Sequence, residues 1–491
     1  MPNQTKTPNQ DLADLLDTLR QIVGNDHVLI ESASNDLVQY VRDWRGSERG
    51  IALAVVRPNS TEQVAAVVKA CAATKGVSIV PQGGNTGMVV GSTPDATGTQ
   101  IVLSLQRMNN VRKFDTGNST LTVDAGCILE NVQQACFEKG FLFPLSLASQ
   151  GSCTIGGNLG TNAGGTQVVR FGNTRELCLG LEVVTAQGEI WNGLTGLRKD
   201  NTGYDLRNLF IGSEGTLGII TAATMKISPL PVASLTAFVA VSSVKSAVKL
   251  LGLAHKHLNT GLTGFEMMGK VALTLVNKHF PQQRVPFLDM AEAKYCVVLE
   301  HSDHESEAHA RTQLESLLEA AMGNEEGGGC ILDAVLAENL TQSKQLWHIR
   351  ESIPLAQAQE GLNIKSDISI PISSIPEFVR ITDEKLAIAY PGIQLVNYGH
   401  LGDGNLHYNV QAPAGTDQKA FLINEEANVN AIVFGMVDQL GGSISAEHGV
   451  GSMKVDKLPK YKSPVALDLM RTIKRALDPH NIMNPGRVVR V

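Results

Sequence analysis

Residues 51–87, IALAVVRPNSTEQVAAVVKACAATKGVSIVPQGGNTG, pass from a short apolar run through an amphipathic stretch into a second apolar run. Val64, Val67, Val68 and Cys71 recur at the i, i+3, i+4, i+7 spacing of one helical face, and Ser60 followed by Gln63 is a capping box. The segment predicts strand, helix, strand and glycine loop, a βαβ unit. From Gly83 to about Gly218 glycine is dense and the apolar runs are short: TQIVLSL, STLTVDAG, LGLEVVTAQGEIW and GTLGIITAATMKI predict strands joined by turns. SPLPVAS, with Pro229 and Pro231, marks a boundary. Beyond it LTAFVAV, a helical stretch from about Ser243 to His257 and TGFEMM form one β-α-β pass. KYCVVLEHS, a helical pattern from Glu305 to Met322 and CILDAVL form another. Two such passes predict a ferredoxin-like layer. The tail SPVALDLMRTIKRALDPHNIMNPGRVV reads as an amphipathic helix followed by a Pro-Gly turn.

Within NYGHLGDGNLHYNV (residues 397–410), Asp403-Gly404 is a two-residue centre suited to a type I′ hairpin. Counted outward, Gly402 pairs with Asn405, Leu401 with Leu406, His400 with His407, and Tyr398 with Asn409. Opposed residues share a face with Cβ atoms about 5 Å apart, so two imidazoles converge. Converging imidazoles hold a metal or form an ordinary polar patch. GGSISAEHGVGSMK supplies a further ligand of suitable type in Glu447, with His448 beside it.

Three glycine-rich segments precede the boundary: PQGGNTGMVVGSTPD, PLSLASQGSCTIGGNLGTNAGGTQVVRFG and LFIGSEGTLGIIT. Clustered glycines let successive backbone N–H groups face one anion, or they serve a special turn with no ligand. The first segment leads into another strand rather than opening a helix, which excludes a Rossmann nicotinamide site. Three segments in one domain fit an extended ligand of dinucleotide size.

The 491 residues, 43% hydrophobic and 18% charged, describe a globular chain of two or three domains. A net charge of -7 with no basic run excludes nucleic-acid binding. Seven scattered cysteines without a C-x-x-C pair point to a reducing compartment. MPNQTKTPNQDLADLLDTLRQIVG lacks the apolar core of a secretory signal, and no stretch has the roughly 20 apolar residues of a membrane span, so a cytoplasmic protein is expected.

PQGGNTG, TIGGNLGTNAGG, GSEGTLGIIT, GHLGDGNLH, SAEHGVG and NPGR, in that order, together resemble the D-2-hydroxyacid dehydrogenases of the vanillyl-alcohol-oxidase flavoprotein superfamily. The resemblance implies an α+β chain with an FAD-binding domain of two subdomains (residues 1–228, glycine-loop core about 50–225). A ferredoxin-like substrate cap carrying the hairpin (229–430) and a C-terminal helical segment returning to the flavin (431–491) would follow. FAD would touch Pro81, Gly83, Gly84, Asn85, Thr86 and Gly87, then Ser152, Gly156, Gly157, Asn158, Asn162, Gly164 and Gly165, then Gly215, Gly218 and Ile220, and finally Asn484. Asn85 occupies the place of the histidine that some relatives use for covalent attachment, which implies non-covalent FAD.

By the same resemblance His400, His407 and Glu447 hold a divalent ion, usually zinc, and His448 is the general base, with Asn409 beside the substrate. Arg350 matches the arginine that binds the substrate carboxylate. Lys365 matches a lysine suited to a second, distal carboxylate; alternatively it is a surface ion pair. Where hydroxyglutarate enzymes can carry a threonine one turn after the arginine, this chain has Pro354. The implied reaction is oxidation of a D-2-hydroxyacid to the 2-oxoacid, with D-2-hydroxyglutarate ahead of D-lactate. An electron-transfer flavoprotein or a quinone is the implied acceptor, and a homodimer is compatible with the sequence. Two rival readings are a 2-His-1-carboxylate Fe(II) oxygenase and a module in which zinc only pins the hairpin.

Overall fold

The computed structural model describes residues 8–32, 36–322 and 329–491. Of the N-terminal stretch read above for a signal, residues 1–7 lie outside the described residues, and Pro8–Val23 is a helix. The chain forms two compact units: Met1–Ala163, Asn173–Pro229 and His448–Val491 in the first, Gly164–Gly172 and Leu230–Glu447 in the second. No helix among the described residues is long and apolar enough to cross a membrane.

In the first unit the expected βαβ element is Ala52–Val56, the helix Thr61–Ala73 and Ser78–Gln82, with Gln100–Ser104 lying parallel between the two strands. The helix buries Val64, Val67, Val68 and Cys71, the face that the spacing marks. Ser60 Oγ accepts from Gln63 N at 3.2 Å, while Gln63 Oε1 accepts from Asn59 N at 2.9 Å, so the capping box closes one residue early. A second sheet of five antiparallel strands follows, ordered Val111–Asp115, Thr120–Asp124, Gly218–Lys226, Cys178–Thr185 and Ile190–Gly193.

The C-terminal helix Pro464–Leu477 leads to Ile482–Asn484, which lies along the strand Ser78–Gln82: Ile79 N donates to Ile482 O (2.7 Å) and Asn484 N to Ile79 O (2.8 Å). Lys474 fixes this return. Its buried Nζ donates to Asp478 Oδ2 (2.5 Å), Thr216 O (2.8 Å) and Met483 O (2.8 Å).

The second unit carries the ferredoxin-like layer. Asp333–Leu336, Ala233–Val241, Tyr295–Asp303 and Leu262–Gly269 are neighbours in that order, all antiparallel, the 4-1-3-2 arrangement of two β-α-β passes. The helices of the passes are Val244–Leu258 and Glu307–Ala321. The sheet does not stop there. Gln394–Gly399 adds to the edge at Leu262–Gly269, and Asn405–Gln411, Asn363–Ile364 and Asp367–Ser369 complete eight strands.

Two expectations need correction. A boundary at 430/431 would cut the continuous helix Gln418–Gln439, which packs on the helix Ile375–Ala389 and on Asn363–Ile364 and so stays with the second unit up to Glu447. Gly164–Gly172, with Gly164 and Gly165, also belongs to the second unit rather than to residues 1–228, because Val168–Phe171 packs on Leu262–Gly269 and on Leu401–Asp403.

Replacing Lys474 with Met keeps the bulk but leaves the Asp478 carboxylate buried without its cation. Loss of one partner of a buried pair costs about 3–5 kcal/mol. Denaturant unfolding of Lys474→Met, followed by the transition of the first unit, is expected to show a loss of that size.

Candidate active site

The site grows from one sheet face. Tyr398 pairs with His407, Val396 with Asn409, and Asp367 with His407. Paired residues and every second residue along a strand share a face, so Tyr398, His407, Asn409 and Asp367 do so. Met267 pairs with Gly399, and the next position along brings Glu266 level with His400.

The hairpin register differs from the expected one by two residues, because the turn is not a two-residue type I′. Leu401–Asp403 forms a 3-10 turn with Gly404 in the left-handed region, and the strand ends at Gly399. Gly399 has φ 150° and a Cβ there would lie 2.7 Å from Asn405 O, so the crossing admits only glycine. A slip of two preserves which residues share a face. His400 leaves the strand yet still meets His407, with ring centroids 5.5 Å apart.

Glu447 reaches this face through an antiparallel bridge. Ser369 N donates to Ser443 O (3.0 Å) and Ser443 N to Ser369 O (2.8 Å), and the Glu447 amide then donates to Asp367 Oδ2 (3.1 Å). The carboxylate lies 3.9 Å from His400 Nε2 and 3.7 Å from His407 Nε2. One ligand atom from each residue falls within 4.8 Å of the others.

Behind His400, Nδ1 meets Glu266 Oε1 at 2.5 Å, while Arg350 Nε donates to Glu266 Oε2 at 2.8 Å. Glu266 is fully buried. Burial alone would raise its pKa, but His400 and Arg350 outweigh that and hold it below the ordinary value. Burial likewise acts to lower His400, and the Glu266 carboxylate overrides it, holding the imidazole at about 9. Burial pushes Glu447 up to about 8 and Asp403 up to about 6. The donor set fits a divalent cation on three counts. Two Nε2 atoms and a carboxylate converge, the Nδ1 of one imidazole is fixed by a carboxylate, and further carboxyl groups surround the point.

Arg350 comes from the helix Leu340–Glu360 and stacks over the Tyr398 ring at 4.9 Å. Its terminal nitrogens make no hydrogen bond among the described residues. Pro354 lies inside the same helix, which continues through it. Asn409 is buried and donates to Gln357 Oε1 at 2.8 Å. Lys365 is exposed; the strand register on either side, Ile364 to Val410 and Asp367 to His407, sets it across from Asn409. Glu266, Asp367 and Gln357 were not singled out from the sequence. Glu266 had a signal: one acidic residue inside the apolar run GFEMM is a buried charge in want of a partner.

In the first unit, Gly83 and Gly84 have a reason beyond ligand approach. A Cβ on Gly83 would overlap the Thr154 hydroxyl, and one on Gly84 the Ser152 carbonyl, so the first two glycine segments pack backbone to backbone. Gly87 is open, with nothing among the described residues within 4 Å of where a Cβ would be. Asn85, at φ 53°, spends its side chain on the protein. Nδ2 donates to Gln39 O (3.0 Å) and Arg42 O (2.9 Å), and Oδ1 accepts from Ser92 Oγ (2.9 Å).

Asn162 caps the helix Ile155–Thr161 at φ 52° and accepts from Arg175 N at 3.0 Å. Gly156 N donates to Ala125 O (2.7 Å), Gly215 turns at φ 70° against the Pro81 ring, and Ile220 is buried in Gly218–Lys226. Thr86 lies in the first loop and Gly157 receives the Thr154 cap. Asn484 Nδ2 ties Gly91 O (2.9 Å) to Glu214 O (2.7 Å). Two buried polar atoms, Asn158 Nδ2 beside the Cys153 thiol and Asn484 Oδ1, make no hydrogen bond of ordinary geometry among the described residues. Open glycine surface together with these atoms fits a polar, extended cofactor.

Residues 52–193 match the family described as FAD binding domain, and residues 230–488 match FAD linked oxidases, C-terminal domain. The chain is 39% identical over 455 residues to a D-2-hydroxyglutarate dehydrogenase of Xanthomonas citri pv. viticola, covering 92% of each. It is 36% identical over 502 residues to a Schizosaccharomyces pombe protein provisionally named a mitochondrial D-lactate dehydrogenase, covering 99% of this chain and 91% of that one. The crystal structure of p-cresol methylhydroxylase with substrate bound shares the fold, with TM-score 0.76 at 18% identity over 99% of this chain and 98% of that one. The expected fold and the expected FAD are thereby shown, which speaks against the non-haem oxygenase reading. The chain belongs to the FAD-linked oxidases, as an FAD-binding oxidoreductase of the group that includes the D-2-hydroxyglutarate dehydrogenases.

Proposed function

We propose that this enzyme oxidises a D-2-hydroxyacid, D-2-hydroxyglutarate foremost, to the 2-oxoacid, with a zinc ion held by His400, His407 and Glu447. One observation carries the reading: both Nε2 atoms face the Glu447 carboxylate at 3.7–3.9 Å while Glu266 braces His400 from behind. Bound FAD supplies the hydride acceptor, and a divalent ion supplies the Lewis acid that acidifies the substrate hydroxyl.

The chain's own residues do the rest. Arg350, oriented through Nε by Glu266, offers its terminal nitrogens to the substrate carboxylate as a planar fork. His448, bonded in sequence to Glu447, takes the 2-hydroxyl proton on a ring nitrogen. Asn409, steadied by Gln357, hydrogen-bonds the bound acid, and Lys365 meets a distal carboxylate. D-lactate, which has no distal carboxylate, is the second reading; Pro354, which offers neither hydroxyl nor N–H, favours it. An electron-transfer flavoprotein or a quinone is the proposed acceptor and the cytoplasm the proposed location.

Anaerobic addition of D-2-hydroxyglutarate is expected to bleach the oxidised-flavin band rapidly, and its L-enantiomer is expected not to. Bleaching by D-lactate alone would replace the first substrate with the second, and no bleaching by any 2-hydroxyacid would sink the reaction. In His448→Ala, FAD content and melting temperature are expected to hold while the bleaching rate falls by about 10²–10⁴, the usual contribution of a general base; an unchanged rate removes His448 from that role. Glu266→Gln is expected to weaken metal affinity by about 10–100-fold, as loss of an outer-shell partner does, with FAD retained. Metal titration of the apoprotein checks this, and equal affinities in the two proteins would refute it.

A further inference from the structure

Glu214 sits in GSEGTLG, directly before Gly215, which the resemblance places at the cofactor, yet its carboxylate is turned to the protein. Oε1 accepts from Val450 N at 2.7 Å and Oε2 from Gly451 N at 2.8 Å. These are the amides two and three residues after His448. The turn wraps the carboxylate closely. Gly449 has φ 83° and a Cβ there would lie 2.6 Å from Glu214 Oε1, while a Cβ on Gly91 would lie 3.3 Å from Oε2.

Glu214 itself is held in the left-handed region at φ 52°, a strained state for a residue with a side chain, and Asn484 Nδ2 secures its carbonyl at 2.7 Å. Lys474 donates to Thr216 O, two residues further on. A carboxylate that accepts two neighbouring backbone N–H groups fixes the orientation of that peptide, because both oxygens are committed at once.

We infer that Glu214 is a positioning residue for His448: it clamps the turn 449–451 and so sets the direction from which the imidazole meets the substrate hydroxyl. The inference rests on the reading of His448 as the base. It explains why a charged residue occupies a glycine segment whose ligand carries phosphate, where a carboxylate facing the ligand would be repelled.

The isosteric variant Glu214→Gln tests it, because the amide oxygen can accept from one N–H while its NH₂ faces the other, donor against donor. In the FAD-loaded enzyme, amide hydrogen exchange of the peptide spanning 446–456 is expected to quicken at least tenfold. FAD content and the KM for the acid should stay within twofold of wild type, while kcat falls at least tenfold and the substrate deuterium isotope effect on flavin bleaching rises. Gly449→Ala presses on the same contact from the other side and is read by the same criteria if Glu214→Gln does not fold. Faster exchange with kcat within twofold of wild type overturns the proposal, as does a kcat that falls only in proportion to lost FAD. A wild-type enzyme that no 2-hydroxyacid reduces fails the functional reading instead, and is told apart by that control.

Discussion

A single carboxylate without access to water organises the second unit. Glu266 spends one oxygen on His400 and the other on Arg350, at 2.5 and 2.8 Å. Taking a carboxylate out of water costs several kcal/mol, and only close partners offset it. The arrangement is therefore all or nothing: neither His400 nor Arg350 can move without leaving a buried charge exposed to an apolar surrounding. An imidazole and a guanidinium from separate elements are thereby held at a fixed separation by the third group. The Tyr398 ring under Arg350, at 4.9 Å, supports the same geometry from below.

That constraint explains the sheet around it. Glu266 is placed by its strand in the ferredoxin-like layer, His400 by the hairpin, and Arg350 by the helix Leu340–Glu360, so three elements distant in sequence must arrive in register. Gly399 permits the hairpin to cross tightly at the strand end, and the shared register of Asn363–Ile364 and Asp367–Ser369 against Asn405–Gln411 carries the polar face outward to Asn409 and Lys365. The apolar faces of the same layer, with Phe238, Val298, Ile349 and Ile353 buried together, supply the rigidity against which the polar residues are aimed.

Much of this was legible in the sequence because it depends on local period. The βαβ unit follows from the spacing of Val64, Val67, Val68 and Cys71, and the ferredoxin-like order from two β-α-β passes. The hairpin shows where local reasoning stops. Asp403-Gly404 suggested a two-residue turn, the chain instead makes a 3-10 turn, and the register moves by two; the histidines still meet because a strand repeats every two residues. The sequence places Gly83 and Gly84 against a ligand, yet their lack of a Cβ is already required by packing against Thr154 and Ser152. The run GFEMM marks Glu266 as a buried charge, but its partners lie 84 and 134 residues away, a distance no periodicity spans. The helix Gln418–Gln439, which runs through the expected boundary, has almost no polar-apolar alternation between faces to mark where it packs.

The stretch from Glu447 to Gly451 draws these points together. On its N-terminal side the Glu447 amide is held by Asp367, within the second unit. On its C-terminal side the Val450 and Gly451 amides are held by Glu214, within the first. Residues that are neighbours in the chain gain little from adjacency alone, because a free peptide rotates about φ and ψ at each residue. Holding the Val450 and Gly451 amides on Glu214 removes part of that freedom within the first unit in advance of binding. The entropy of ordering that backbone is then met during folding rather than on binding.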